Sequence, residues 1–202
     1  MQGEGIRAGT MNVFVRLCGC NMRCTVEPGP KSPGGFDCDT DFVSGRKVTT
    51  DEIVAWAEDE METRVSDVYD RAARPAVIFT GGEPAVQLDE ELLTAFRDRG
   101  WYTSIETNGS MDISGLDLDW VTVSPKVAEH AVRQMTADEI KYVRGYGQAV
   151  PAPRCKSANN LISPAFNGLS VDERALGWCI RLVEENPEWR LSVQAHKLWR
   201  VR

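Results

Sequence analysis

Cys18, Cys20, Cys24 and Cys38 crowd one short stretch of the chain, and the last opens the run Cys38-Asp39-Thr40. Thiolates are soft ligands that suit iron-sulfur clusters and zinc alike, so the sulfur donors by themselves leave both open. Three of them, Cys20, Cys24 and Cys38, match a cluster that keeps one iron free for another ligand, with Cys18 as the spare. All four would instead make a closed zinc site, although such sites usually show a C-x2-C pair and this chain has none. Further along, Gly81-Gly82-Glu83-Pro84 forms a glycine turn that lets backbone approach a ligand without a Cβ clash; alone, it also reads as an ordinary turn.

The elements that must position these groups alternate strand with helix. Met11 to Leu17 reads as a strand that delivers the cysteines at its carboxyl end. Thr49 with Glu52 makes a capping box ahead of a helical stripe of Ile53, Val54, Trp56, Ala57 and Met61. Pro75 to Thr80 is a short apolar strand running into the glycine turn, with proline only at its first position. Asp89 caps a helix that buries Leu92, Leu93 and Phe96 and stops at Gly100. Trp101 to Glu106 and Trp120 to Val123 are strands that end in Thr107-Asn108-Gly109 and Ser124-Pro125-Lys126. Thr136 with Glu139 opens a short helix, or Glu139 to Arg144 is a strand; the sequence allows either. Ser170 with Glu173 reads as another capping box before Leu176, Ile180 and Val183, and Arg190 to Gln194 as a last strand. This alternation predicts an α/β fold, a parallel sheet covered by helices, with polar motifs at the strand ends where such folds place their sites.

At 202 residues the chain suits one domain. No apolar run approaches the ~20 residues needed to span a bilayer, and residues 1–5 lack the basic and apolar regions of a secretory signal, so a cytoplasmic protein is expected. A net charge of −7 without a basic tract argues against nucleic-acid and membrane partners and for a small molecule. Six cysteines in reducing surroundings point to metal rather than disulfides; Cys179, inside a helical apolar pattern, reads as core.

With its Gly-Gly-Glu-Pro turn and three cysteines the chain resembles the radical S-adenosylmethionine superfamily. Taken with Gln2-Gly3-Glu4-Gly5, Cys38-Asp39-Thr40-Asp41-Phe42, Glu106-Thr107-Asn108-Gly109, Ser124-Pro125-Lys126 and Gln194-Ala195-His196-Lys197, it is similar, within that superfamily, to the 7-carboxy-7-deazaguanine synthases, in order along the whole chain. The superfamily usually carries C-x3-C-x2-C; here thirteen residues separate Cys24 from Cys38, and lengthening a loop costs little, about 0.6 kcal/mol per doubling.

The resemblance implies a partial radical-S-adenosylmethionine barrel spanning residues 1–202, with 25–37 as a loop inserted in the cluster motif. It implies that a [4Fe-4S] cluster and S-adenosylmethionine turn 6-carboxy-5,6,7,8-tetrahydropterin into 7-carboxy-7-deazaguanine and ammonia, in 7-deazapurine biosynthesis of the queuosine type. Cys20, Cys24 and Cys38 would hold the cluster, and Thr40 a Mg2+ ion. The cofactor would lie against Asp37, Cys38 and Asp39, the Gly81-Gly82-Glu83 turn, Glu106, Ser124-Pro125-Lys126 and Ser163-Pro164-Ala165-Phe166. The substrate would meet Met1, Gln2, Gly3, Arg16, Thr80, His196 and the terminal carboxylate of Arg202, with Arg16, Thr80 and His196 nearest the chemistry. On residue type alone Lys126 and Arg16 read equally as surface cations, Thr40 as a turn cap and His196 as a satisfied core histidine. Partners implied are an electron donor such as flavodoxin and a second copy in a homodimer. A glycyl-radical activating enzyme shares the cluster and the glycine turn, and a non-catalytic zinc-stabilised binding module shares the cysteines.

Overall fold

The computed structural model describes residues 1–25, 38, 40–64, 74–150, 152–167 and 170–200. In chain order the elements are β1 (Val13–Leu17), α1 (Thr50–Arg64), β2 (Ala76–Gly81), α2 (Glu90–Arg97), β3 (Tyr102–Thr107), β4 (Trp120–Val123), β5 (Thr136–Arg144), β6 (Lys156–Pro164), β7 (Phe166–Asn167), β8 (Ser170–Val171), α3 (Glu173–Glu185), β9 (Trp189–Leu191) and α4 (Ala195–Trp199). Seven strands form one parallel sheet in the order β1-β2-β3-β4-β5-β6-β9, while β7 and β8 make a small antiparallel pair. The sheet starts at β1 and ends at β9 without closing, so the α/β fold is a partial barrel.

Local chemistry explains the helix starts. Thr49 donates its backbone N–H to Glu52 at 2.7 Å and its hydroxyl oxygen accepts from the Glu52 N–H at 3.3 Å, which satisfies two donors that the first turn of α1 leaves open. Asp89 accepts from the Leu92 N–H at 3.0 Å and starts α2. The expected Ser170 box does not form: Ser170 lies in β8, and Asp172 caps α3 by accepting from the Arg174 and Ala175 N–H groups at 2.9 and 3.1 Å. In α3 Ala175, Cys179 and Leu182 are buried, while Ile180, expected on the packed face, faces solvent. Trp56 of α1 is likewise exposed, at 42%, with Val54 and Ala57 making the buried contact instead. Thr136 to Arg144 is wholly strand, which decides between the two readings of that segment.

Alternation along each strand separates two faces. On one, Val13, Val15, Val77, Phe79 and Ile105 pack under Val54, Leu92, Leu93 and Phe96, and the edge-on stack of Phe79, Phe96 and Trp101 has centroids 5.5 and 5.3 Å apart. The same face continues through Val123, Ile140, Tyr142 and Ile162 under Cys179 and Leu182 of α3. Burying such side chains is worth roughly 1.5–3 kcal/mol each, and this face supplies the core. The other face is polar: the register sets Arg16 beside Thr80, Glu106 beside Thr122, Thr122 beside Glu139 and Glu139 beside Asn159. Because Phe79 pairs with Ile105, Thr80 and Glu106 are neighbours too, and the row is continuous from β1 to β6.

Candidate active site

The cysteine loop leaves β1 and folds over the glycine turn that leaves β2. Gly82 and Glu83 donate their N–H groups to the Leu17 and Gly19 carbonyls at 3.1 and 2.9 Å. Gly81 has φ +129°, and a Cβ there would sit 2.0 Å from the Leu17 carbonyl oxygen; at Gly82 it would sit 2.1 Å from the Gly19 carbonyl oxygen and 2.9 Å from the Cys20 Cβ. Only glycine fits this seam.

None of the six cysteines is in a disulfide. Burial pushes the Cys20 thiol above its ordinary range, against a hydrogen bond from the Met22 N–H at 3.4 Å, and the nearby charges of Glu83 and Cys38 push the same way. Cys38 donates its N–H to the Cys24 carbonyl at 3.2 Å, so the chain returns to the cysteine loop after residues 26–37. Cys18 is engaged elsewhere: its Sγ donates to the Ser44 carbonyl at 3.2 Å, and its own carbonyl accepts from the Gln87 amide. Among the described residues no three His, Cys, Asp or Glu side chains are already drawn together around one ion position. The donor set nevertheless suits an iron-sulfur cluster in type, with Cys20 against a seam that admits no side chain and Cys38 bonded through its backbone to Cys24.

Glu83 welds this end of the sheet together. It is fully buried, accepts from the Thr107 hydroxyl at 2.6 Å, the Asn108 N–H at 2.7 Å and the Ala85 N–H at 3.1 Å, and burial still holds its carboxyl above the usual range. Its oxygens thus face the protein. Asn108 donates to Asn21 at 3.1 Å and Asn21 to Ser110 at 2.8 Å, which ties the cysteine loop to the end of β3. At the end of β4 the Lys126 ammonium donates to the Ser124 hydroxyl at 2.7 Å. Ser163 is buried at the end of β6, the Ala165 N–H reaches the Arg144 carbonyl at 3.0 Å, and the Lys197 ammonium of α4 lies 4.7 Å from the Phe166 ring centre.

The amino-terminal segment lies along the polar face. Gln2 is buried and gives its amide hydrogen to Glu106 at 2.8 Å, while its carbonyl oxygen accepts from the N–H groups of Gly3 and Glu4 at 2.7 and 3.0 Å. Gly3 accepts from the Ala195 N–H at 2.9 Å and packs so closely on α4 that a Cβ would sit 2.3 Å from His196 Nδ1. Burial lowers the His196 pKa, against the opposing pull of Glu4, and both Lys141 and Arg16 lie near enough to add to the lowering. Thr80 is buried beside Arg16, whose side chain is exposed on the same face.

No family model matches the chain. Among curated proteins it is similar to the 7-carboxy-7-deazaguanine synthase of Bradyrhizobium diazoefficiens, 36% identical over 211 residues that take in 100% of this chain and 95% of that protein. The chain belongs to the 7-carboxy-7-deazaguanine synthases. The synthase of Bacteroides thetaiotaomicron is 34% identical, with 100% of this chain and 94% of the relative covered. In fold it is similar to the crystal structure of QueE from Escherichia coli, with a TM-score of 0.62 at 23% identity over 97% of this chain and 90% of that one.

In this chain the expected site residues fall into two groups. Cys20, Cys24, Cys38, Thr40, Gly81, Gly82, Glu83 and Ser124 to Lys126 gather at the carboxyl ends of β1, β2 and β4, and Gln2, Gly3, Arg16, Thr80, Glu106 and His196 share the polar face. Met1 is exposed at the start of the segment. Asp37, Asp39 and Arg202 lie outside the described residues, as does most of the inserted loop. Glu4, Asn21, Asn108 and Lys141 join the site's hydrogen bonds without having been anticipated; Glu4 and Asn108 sat inside motifs, but nothing local marked their partners. Among the described residues, no helix is long and apolar enough to cross a membrane.

Proposed function

We propose that the chain performs the reaction of its family, the ring contraction of 6-carboxy-5,6,7,8-tetrahydropterin to 7-carboxy-7-deazaguanine with release of ammonia. The observation that carries this reading is identity of 36% across the full chain to a curated synthase. Cys20 against the Gly81-Gly82 seam, with Cys24 and Cys38 outside any disulfide, supports it chemically. When bound, a [4Fe-4S] cluster and S-adenosylmethionine supply the carbon radical that removes a hydrogen atom from the pterin.

The protein's part is to hold, orient and exclude. Cys20, Cys24 and Cys38 hold the cluster. Asp37 to Asp39, the backbone of Gly81 to Glu83, Glu106, Ser124 to Lys126 and Ser163 to Phe166 hold S-adenosylmethionine. Arg16 offers a planar fork to the substrate carboxylate, and Met1, Gln2, Gly3, Thr80 and His196 surround the ring. The Thr40 hydroxyl binds Mg2+, a hard ion that takes few protein ligands and keeps water and substrate oxygens. The chain works as one domain in the cytoplasm, as a homodimer, reduced by a donor such as flavodoxin, with no nucleic-acid or membrane partner.

The test is anaerobic incubation of reconstituted, reduced protein with S-adenosylmethionine, Mg2+ and carboxytetrahydropterin, with the product read by mass spectrometry. Appearance of carboxydeazaguanine is expected; a protein that carries its cluster and yields none would overturn the reading.

A further inference from the structure

Lys141 projects from β5 onto the polar face and is buried there against Glu4, their side chains 8% and 13% exposed. The second carboxylate oxygen of Glu4 accepts from the Gln194 amide at 2.7 Å. Gln194 holds this bond although its own carbonyl oxygen is buried without a partner among the described residues, so Glu4 sets the orientation of that side chain. Burial by itself would lower the Lys141 pKa, but Glu4, Glu106 and Glu139 around it raise it well above the ordinary lysine value, and the ammonium stays charged. A buried ion pair gains little stability over apolar residues of the same size, because desolvation offsets the attraction, whereas it fixes one geometry.

The two segments that meet at Glu4 are those offered to the substrate. Gln2 and Gly3 immediately precede Glu4, and Ala195 and His196 immediately follow Gln194, with the Ala195 N–H on the Gly3 carbonyl at 2.9 Å. Further anchors are the Gly5 N–H on the Ser192 hydroxyl at 2.9 Å and the Ile6 N–H on Glu139 at 2.6 Å, and Gln2 has bonds of its own to Glu106, Thr10 and Gly9, but it is Glu4 that reaches Gln194, beside Ala195 and His196. Resting on the proposed reaction, we infer that Lys141 is a positioning residue: through Glu4 it sets Gln2-Gly3 and His196 against each other and so determines how the pterin, rather than S-adenosylmethionine, is held.

Two conservative variants and their combination test this. Lys141→Met keeps the volume of the side chain, and Glu4→Gln keeps its shape. In the holoenzyme each is expected to raise KM for carboxytetrahydropterin on the order of tenfold, since small misplacements of positioning groups carry large penalties. The dissociation constant for S-adenosylmethionine and the iron content stay at the parent values. The double variant matches the single ones instead of multiplying them, because both break one link. In the ligand-free protein, hydrogen exchange speeds up at the backbone amides of residues 3, 4 and 195 and is unchanged at Gly82 and Glu83. Additive effects, an equal loss of S-adenosylmethionine binding, or unchanged exchange at residues 3, 4 and 195 would overturn the inference. If the parent protein does not turn over the pterin, the functional reading fails, and the exchange measurement still decides what Lys141 holds.

Discussion

The two faces of the sheet are made by the same strands and follow opposite rules. Under the helices, Val77, Phe79 and Ile105 belong to one cluster of apolar side chains, and their interchange with residues of similar size would change little beyond packing. One residue along each strand, Thr80 and Glu106 face a polar surface whose side chains are fixed by hydrogen bonds from Gln2 and by the ion pair of Glu4 with Lys141. Parallel strands are usually apolar on both sides. Here one side has the polarity of a binding surface, so stability and chemistry are separated by the alternation of the strand itself.

Mutations can break that separation or sharpen it. The largest effect is expected at the strand ends: Cys24→Ala should abolish cluster assembly, whereas Cys18→Ala, whose thiol bonds to the Ser44 carbonyl, should keep about four irons per chain. Iron and sulfide assays after anaerobic reconstitution check both, and loss of iron in Cys18→Ala would reassign the ligands. On the apolar face Phe79→Ala should cost about 3–5 kcal/mol of stability by denaturant unfolding, while the iron content of the folded fraction is unchanged. On the polar face Glu106→Gln should do the reverse, shifting stability by less than about 1 kcal/mol but lowering turnover on the order of a hundredfold. A Glu106→Gln protein that unfolds early and keeps its turnover would erase the distinction.

The smallest effect is a pH dependence. His196 is lowered by burial, so the folded protein binds fewer protons there than the unfolded chain between that depressed value and the ordinary one near 6.5. Stability should therefore rise with pH across that window, and His196→Gln should flatten the slope measured by unfolding at a series of pH values. Glu83, raised by burial, contributes in the opposite sense at more acidic pH, where stability falls as pH climbs from near 4.5 through its folded value.

The difference between the faces also explains what the chain revealed before its structure. The apolar face follows local rules: β1 to β4, the Thr49 and Asp89 caps and the burial of Leu92, Leu93 and Phe96 all follow from spacing and side-chain type. β6 escaped notice because its first half, Lys156 to Asn160, is polar and only its second half is buried. Ser170 lost the cap of α3 to Asp172, since two competent residues two positions apart give the same local signal. The candidate site residues came from motif resemblance rather than from pattern, and the pairing of Glu4 with Lys141 across 137 residues has no local trace at all.

Neighbouring strands from β1 to β6 follow chain order, so most of the sheet can be built by adding one strand at a time. The bond between Glu4 and Gln194 joins positions 190 residues apart. Contacts of such long range close after local ones have formed, and regions held by few of them open first. The segments proposed to meet the substrate are thus expected to assemble last and open first, so that a chain that has lost its activity on warming still holds its sheet.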